Sequence, residues 1–587
     1  MGVNRRPHLS GWIIGSSLLL SVAILMAAEN SNQEKVQQSG QDAGFLVVNY
    51  DPEIEQALQI SKSDILANRV RAAGAMGFGP GGRYDGIWML DSTSVLEAYR
   101  YWGSEYRDFM YSDTPGQLGL VPRFAAAQDT DGQIPGAIVR LKGMHEGNYY
   151  VEYGGRFDLA QNRKEHRDLE SAYTFVHVNY MYWRETADLT YARRYRDVLR
   201  RSLNPIDRRR DAATGLILGT YGFPNCDVSA DYAVPQTAAE PYLNATYVRA
   251  YAEYADLAEA LGDSAEARLY RDKADALRQA INRCLWVPAR NRYEMRILHT
   301  PVSTDSTLPA AAIKEDTRFP LLNNILLIYY GIPDSREKVD ALTRQIDESE
   351  KGLAVVGRMV VPPYPDDFLT RHFNLFNGGR YCNGDVWTWY SNRYAIALYR
   401  LGLPASADHV LRSQARVAMR DQGFSEYYAH DEKGAAKGAF HYAGTAATYQ
   451  LAVVEGLFGL ELDAPRHSLS VHPSLSHSGK LRVRLGGEPT EVSLDILPDR
   501  NEMSLQVETG LTVRGDFRVL VPEVFNPGLN WMVTLQSAGK SVAIPSSLTS
   551  LGNGTYVRFE ADLAPGGQQF RLWQARVSSS RLPGTRK

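Results

Sequence analysis

Along most of the chain, apolar residues return every three or four positions. Leu243, Tyr247, Ala250, Tyr254, Leu257 and Leu261 fall on one helical face, and Gly262 follows as a stop signal. A second helix is expected from Ser264 to Trp286. Similar pairs are read at 168–187 with 189–203, 317–330 with 335–348, and 385–402 with 404–420. The stretch 441–459 is amphipathic again, with Tyr442, Ala446, Tyr449, Val453 and Leu457 on one side. The pattern predicts helical hairpins over residues 50–462, joined by short turns and separated by long loops rich in glycine and aromatic residues. Loops of that length inside a compact domain are usually functional. After Leu462 the period drops to two. Short alternating segments from His467–Leu475 to Gln568–Ala575 are split by Gly, Pro, Asn and Asp. They predict an antiparallel β-sandwich over 463–577, followed by a polar, basic and disordered tail at 578–587.

The two ends of the chain differ. Arg5 and Arg6 precede an apolar run from Trp12 to Ala28, so residues 1–28 read as a signal peptide and the protein as exported, periplasmic or secreted. An uncleaved signal anchor is the one membrane link that the sequence leaves open. Residues 29–49, polar and Gln/Ser-rich at their start, read as a flexible leader. With 44 % apolar and 22 % charged residues the rest is ordinary soluble material. A net charge of −3 gives no reason to expect nucleic acid as a partner. The three cysteines, Cys226, Cys284 and Cys382, make no disulfide framework, and no metal-ligand spacing is visible. Cys226, next to Asp227, reads as a buried small side chain before a reactive thiol.

Candidate chemistry sits in three distant segments. The first is Pro80-Gly-Gly-Arg-Tyr-Asp-Gly-Ile-Trp-Met-Leu-Asp91, the second Asn225-Cys-Asp-Val-Ser-Ala-Asp-Tyr232, and the third Gly423-Phe-Ser-Glu-Tyr-Tyr428. Hydrolysis of a glycosidic bond needs two carboxyl groups on opposite sides of one sugar. Asp227 and Glu426 are each set among aromatic and small residues; an apolar surround raises the carboxyl pKa of Asp227 as a general acid requires, and a glutamate flanked by aromatics, as Glu426 is, can hold and polarise a water. Taken locally, Asp227 reads first as a turn or cap residue, with Asp231 as a competitor for the acid, and Glu426 first as an exposed loop glutamate. Arg83 follows two glycines and offers a guanidinium fork to sugar hydroxyls, or a plain ion pair. Asp91 precedes an amphipathic run and reads as a cap or a ligand. In Tyr381-Cys-Asn-Gly-Asp-Val-Trp-Thr-Trp-Tyr390, Trp387 or Trp389 offers a stacking face, and the other belongs to the core.

Together these segments resemble the inverting glycosidases of the six-hairpin, (α/α)6-barrel type, with trehalases and the glucosidase and glycogen-debranching group the nearest likeness. Pro80 to Arg83 match the first trehalase signature, Tyr84 replaces its Phe, and Asp91 falls at its Asp. Asp227 in Asn-Cys-Asp-Val-Ser-Ala stands where that family carries its general acid. Glu426, with Phe440-His441-Tyr442 beyond it, looks like the segment that carries the base. The likeness spans about 70–460. Gly86, Leu90 and Thr93 depart from the signature, and Asn383-Gly-Asp-Val-Trp387 stands in place of the second trehalase signature. The resemblance therefore implies the barrel and the acid/base pair, without trehalose as substrate.

The resulting expectation is mainly α, an (α/α)6 toroid with a C-terminal antiparallel β-sandwich. It acts as a glycoside hydrolase on an oligosaccharide or glycoside, through a linkage expected to be α, with inversion. Asp227 is the acid and Glu426 the base; Arg83, Tyr84, Trp88, Asp91, Asn244, Trp387 and Tyr442 hold the sugar. No cofactor or metal is called for. A phosphorylase on the same fold and a non-catalytic carbohydrate-binding protein are the alternatives.

Overall fold

The computed structural model describes residues 45–72, 74–82, 84, 86–139, 150–152, 169–218, 238–294, 296–297, 318–363, 378–526, 529–537 and 540–574. The helical part begins with α1 (Pro52–Ala67), capped by the Asp51 side chain, which accepts from the N–H groups of Glu53 and Ile54. There follow α2 (Met89–Tyr99), α3 (Ser171–Thr186), α4 (Arg196–Asp207), α5 (Pro241–Ala260), α6 (Ser264–Cys284), α7 (Leu321–Tyr329), α8 (Arg336–Ser349), α9 (Thr388–Arg400), α10 (Pro404–Asp421) and α11 (Ala443–Leu451). A helix apolar all round must be buried, whereas one with a narrow apolar stripe lies at the surface. Nearly every residue of α2, α9 and α11 is buried, whereas α6 and α8 bury single stripes such as Ala267, Tyr270, Ala274 and Leu277.

Contacts follow this division. The helices α2, α3, α5, α7, α9 and α11 each pack on the next, and α11 packs back on α2. Outside them, α4 packs on α3, α6 on α5, α8 on α7 and α10 on α9, while α1 lies against α10 and α11. Polar side chains tie the inner helices together. His177 of α3 bonds Glu97 of α2 through Nε2 (2.6 Å) and Glu253 of α5 through Nδ1 (2.9 Å), and Arg393 of α9 bonds Glu97 (2.6 Å).

Short strands punctuate the helical part, which the helical pattern alone does not predict. The first is β1 (Val47–Asn49), and the leader expected at 29–49 therefore ends before it. Val48 is buried between exposed neighbours, the alternation a half-covered strand needs. A small sheet joins β2 (Gly86–Trp88), β3 (Ala137–Val139) and β4 (Tyr150–Glu152). The hairpin β5 (Ser425–Tyr428) and β6 (Ala436–Phe440) leads into α11.

Past β7 (Leu460–Asp463) the chain is all β: β8 (Ser468–Val471), β9 (Gly479–Leu485), β10 (Glu488–Leu497), β11 (Glu502–Thr509), β12 (Val513–Leu520), β13 (Trp531–Ser537), β14 (Lys540–Ile544), β15 (Ser546–Leu551), β16 (Gly554–Leu563) and β17 (Gly566–Gln574). They form two sheets, ordered β1-β9-β10-β11-β17-β13-β14 and β7-β8-β12-β16-β15. Phe517 and Phe559 of the second sheet meet Phe570 of the first, with ring centroids 4.9 and 5.2 Å away. One pairing corrects the antiparallel expectation. β8 and β12 run parallel, because the chain between them crosses into the other sheet and returns without a hairpin. Backbone hydrogen bonds join the two parts, Arg484 N–H to Tyr101 O (2.7 Å) and Asn553 N–H to Gly402 O (3.0 Å).

Candidate active site

The first and third segments singled out in the sequence meet at the N-terminal ends of the inner helices. Ala443 N–H donates to Pro80 O (2.8 Å), which docks the Pro-Gly-Gly turn on the start of α11. A Cβ at Gly81 would stand 2.9 Å from the Ala439 methyl, so only glycine lets the two strands of chain approach this closely. This contact brings Tyr84 to Glu426.

Glu426 lies in β5 and is 2 % exposed. Its Oε1 accepts from the Tyr84 hydroxyl (2.9 Å) and its Oε2 from Ala439 N–H (2.7 Å). The two bonds fix the direction of the carboxyl group. Gly438, at φ +74°, makes room for it, since a Cβ there would fall 2.5 Å from Oε2. Ser425 to Tyr428 are all buried, and the ladder slips by one residue around Glu426. Such a bulge re-aims a side chain. Glu426 is thus a strand residue in a hairpin and not the loop glutamate that its local sequence suggests.

Asp91 sits inside the first turn of α2, with Trp88 at the N-cap, so it does not cap the helix. Its Oδ1 accepts from the Tyr442 hydroxyl (2.6 Å). Burial, helped by the charge of Glu426, pushes the Asp91 carboxyl up to about 7, although the Tyr442 bond opposes the rise. Trp88 meets Tyr84 edge to face (5.3 Å), and Trp389 does the same with Tyr442 (5.9 Å). Tyr84, Trp88, Asp91, Glu426 and Tyr442 therefore form one cluster.

Trp387 is nearby but differently used. Its ring lies almost parallel to Tyr427 (5.3 Å, 18°) and edge-on to Tyr381 (5.1 Å), and it is 1 % exposed. It walls the site and offers no open stacking face. Trp389 is also buried. Asn244 is a second correction. Its Nδ2 donates to Ile217 O (3.1 Å) and Glu240 O (2.8 Å), and its Oδ1 accepts from Ile217 N–H (2.8 Å). All its donors serve the backbone, so it pins the chain at 217 to α5. Asp227, Arg83, Cys226 and Asp231 lie outside the described residues.

Sequence reasoning missed three supports. Tyr427 covers Trp387. Asp385 accepts from Tyr381 N–H (2.7 Å) and bonds His430 (3.0 Å); burial raises its pKa. Asp64 of α1 holds both feet of the hairpin, through Phe424 N–H (2.7 Å) and His441 Nδ1 (2.6 Å). The signal for Asp385 was present in the Asn-Gly-Asp-Val-Trp run, where Gly384 takes φ +137°. Nothing local marks Asp64, whose partners lie 360 and 377 residues away.

Known proteins add to this geometry. Residues 157–445 match the family model of the mannosylglycerate hydrolase MGH1-like glycoside hydrolase domain, a stretch that includes Asp227 and Glu426. No curated protein matches the chain. Among solved structures it is similar to the α-L-rhamnosidase from Dictyoglumus thermophilum, with 12 % identity and a TM-score of 0.57 over 90 % of this chain and 50 % of that one. It is likewise similar to the GH78 family rhamnosidase of Bacillus sp. GL1, with 14 % identity and a TM-score of 0.56 over 84 % of this chain and 44 % of that one. The GH63 mannosylglycerate hydrolase from Thermus thermophilus, solved with glucose, aligns over 68 % of this chain and 100 % of its own at 17 % identity and a TM-score of 0.48. The chain spans about half the length of the two rhamnosidases or less, and what it shares with them is the fold. The resemblance to the six-hairpin glycosidases is borne out by the match of residues 157–445 to a glycoside hydrolase domain model.

Proposed function

We propose that the protein is an exported glycoside hydrolase that cleaves a small hexoside with inversion, on an (α/α)6 toroid. The observation that carries the reading is the Glu426 carboxylate, fixed by Tyr84 and Ala439 within the stretch that matches the glycosidase family. In this scheme Glu426 takes a proton from water as the water oxygen bonds the anomeric carbon. Asp227 gives its proton to the leaving oxygen as the glycosidic bond breaks, and each carboxyl ends in the other's starting state. Inversion requires the two groups roughly 6.5–9.5 Å apart, with the water between them. Asp91 and Tyr442, joined by a hydrogen bond, present one face to the sugar, and Arg83, Tyr84, Trp88 and Trp387 bound it.

The family description names a mannosylglycerate hydrolase, which favours a hexose on a small polar aglycone over trehalose or a long glucan. An α linkage is the form proposed. Proton NMR of the full chain with mannosylglycerate, trehalose and a panel of α- and β-glycosides, each with and without phosphate, tests this. The expected result is phosphate-independent release of the inverted anomer, lost in Asp227→Asn and in Glu426→Gln. Release of the retained anomer, or turnover only with phosphate, overturns the mechanism. Binding without turnover, unchanged in Asp227→Asn, overturns the enzyme.

A further inference from the structure

At the C-terminal ends of the inner helices, between them and the five-stranded sheet, lies a second cavity of about 640 Å³. Asp91 and Arg100 mark the two levels on α2 and its C-cap, about 13 Å apart at 1.5 Å per residue. The lining of the cavity sets six arginines (Arg100, Arg184, Arg249, Arg278, Arg400 and Arg518) among five carboxylates. Most of its arginines are matched: Arg100 with Glu455 (2.9 Å), Arg184 with Asp463 (3.3 Å), Arg249 with Glu253 (2.6 Å) and Arg400 with Glu461 (2.5 Å).

Arg518 of β12 is not matched. No carboxylate among the described residues lies within ion-pair distance, and its Nε is buried without a hydrogen-bond partner. Its guanidinium sits over the Tyr556 ring (5.3 Å). The acid nearest in sequence, Asp516, is engaged by His472 (3.1 Å) and Arg558 (3.6 Å). Burial first, and then the charges of Arg558 and Arg400, hold the Arg518 pKa below its ordinary value, as expected of a cation in surplus. Burial likewise lowers His472, which leaves a neutral imidazole beside it. The other walls include Tyr180, Tyr329 and Tyr330.

We propose that this cavity is a second binding site, for a small ligand that carries an oxyanion on a sugar-sized body, with Arg518 as its principal counter-charge. A guanidinium fork matches carboxylate and phosphate alike. The volume is that of ordinary small-molecule sites, and the tyrosines supply faces for a ring. Since ring and sheet both line the cavity, the ligand bridges the helical and β parts.

Calorimetric titration of the full chain with D-glucuronate, glucose 6-phosphate and glucose tests the proposal. One or both anions should bind with 1:1 stoichiometry and glucose at this site should not. Arg518→Gln should weaken the anion at least about tenfold, and Glu426→Gln should leave it unchanged. If Arg518→Gln does not fold, Arg518→Lys decides, since it keeps the charge and loses the fork. Affinity unchanged in the glutamine variant, or in the lysine variant where that one decides, overturns the proposal. So does the absence of binding by either anion, or its loss in Glu426→Gln, which would place the ligand in the first site.

Discussion

Glu426 and Asp91 are two buried carboxyls of one cluster, held by different partners. Replacing Glu426 by Gln should lower turnover by about 10²–10⁴-fold, the span of a general base, with the fold retained by circular dichroism. Tyr84→Phe removes one donor to Glu426 and should cost turnover about tenfold, at the lower end of what a hydrogen bond to a charged group is worth. Asp91 gives a pH signature. Its folded pKa, about 7, lies above the ordinary aspartate value of 3.8, so the folded state holds this proton to higher pH than the unfolded chain. The stability tied to that proton is complete below about pH 4, declines as pH rises to about 7, and is flat above. Denaturant midpoints measured from pH 4 to 8 should show this slope, and Asp91→Asn should make it shallower, the remainder coming from other raised carboxyls such as Asp64.

Inner helices owe their mutual fit to more than apolar packing. His177 bonds a carboxylate through each ring nitrogen, and carboxylates only accept, so both nitrogens carry protons. Burial and Arg249 pull its pKa down, and Glu253 and Glu97 pull it up further, for a net rise. His177→Leu removes the side chain that Glu97 and Glu253 share, though Arg393 and Arg249 still pair them, and should cost about 1.5–3 kcal/mol, measured by urea unfolding. The helices themselves were legible because their apolar period is long and regular and ends at glycines with positive φ, such as Gly262 (+89°) and Gly402 (+74°). The sandwich was legible by its alternation. The hairpin that carries Glu426 was not, because Ser425–Tyr428 is buried on both faces and alternates nothing. Asn244 was misread for a related reason. A buried asparagine that satisfies backbone looks, in sequence, like one poised for a ligand.

At the level of the whole chain, the helical cycle and the sandwich are joined at several places, and the first described strand belongs to the last sheet. β1 covers the edge of β9, with Val48 opposite Leu481. Removal of residues 1–44 keeps β1 on the β9 edge and should leave the oligomeric state of the full chain unchanged. Removal of 1–50 opens the β9 edge, which invites pairing between chains. Size-exclusion chromatography of the two truncations should show aggregation only in the second.

The same pairing orders events in time. Val47 leaves the ribosome hundreds of residues before its partner Arg482, and α1 likewise precedes α10 and α11, against which it rests. At about 5–20 residues per second, the front of the chain waits on the order of half a minute or longer for the surfaces that will hold it. During that interval the buried face of α1, with Ile54, Leu58 and Ile65, has no native cover. Cover for α1 therefore waits until residues near 451 have been made, and the seating of β1 until residues near 482 have followed.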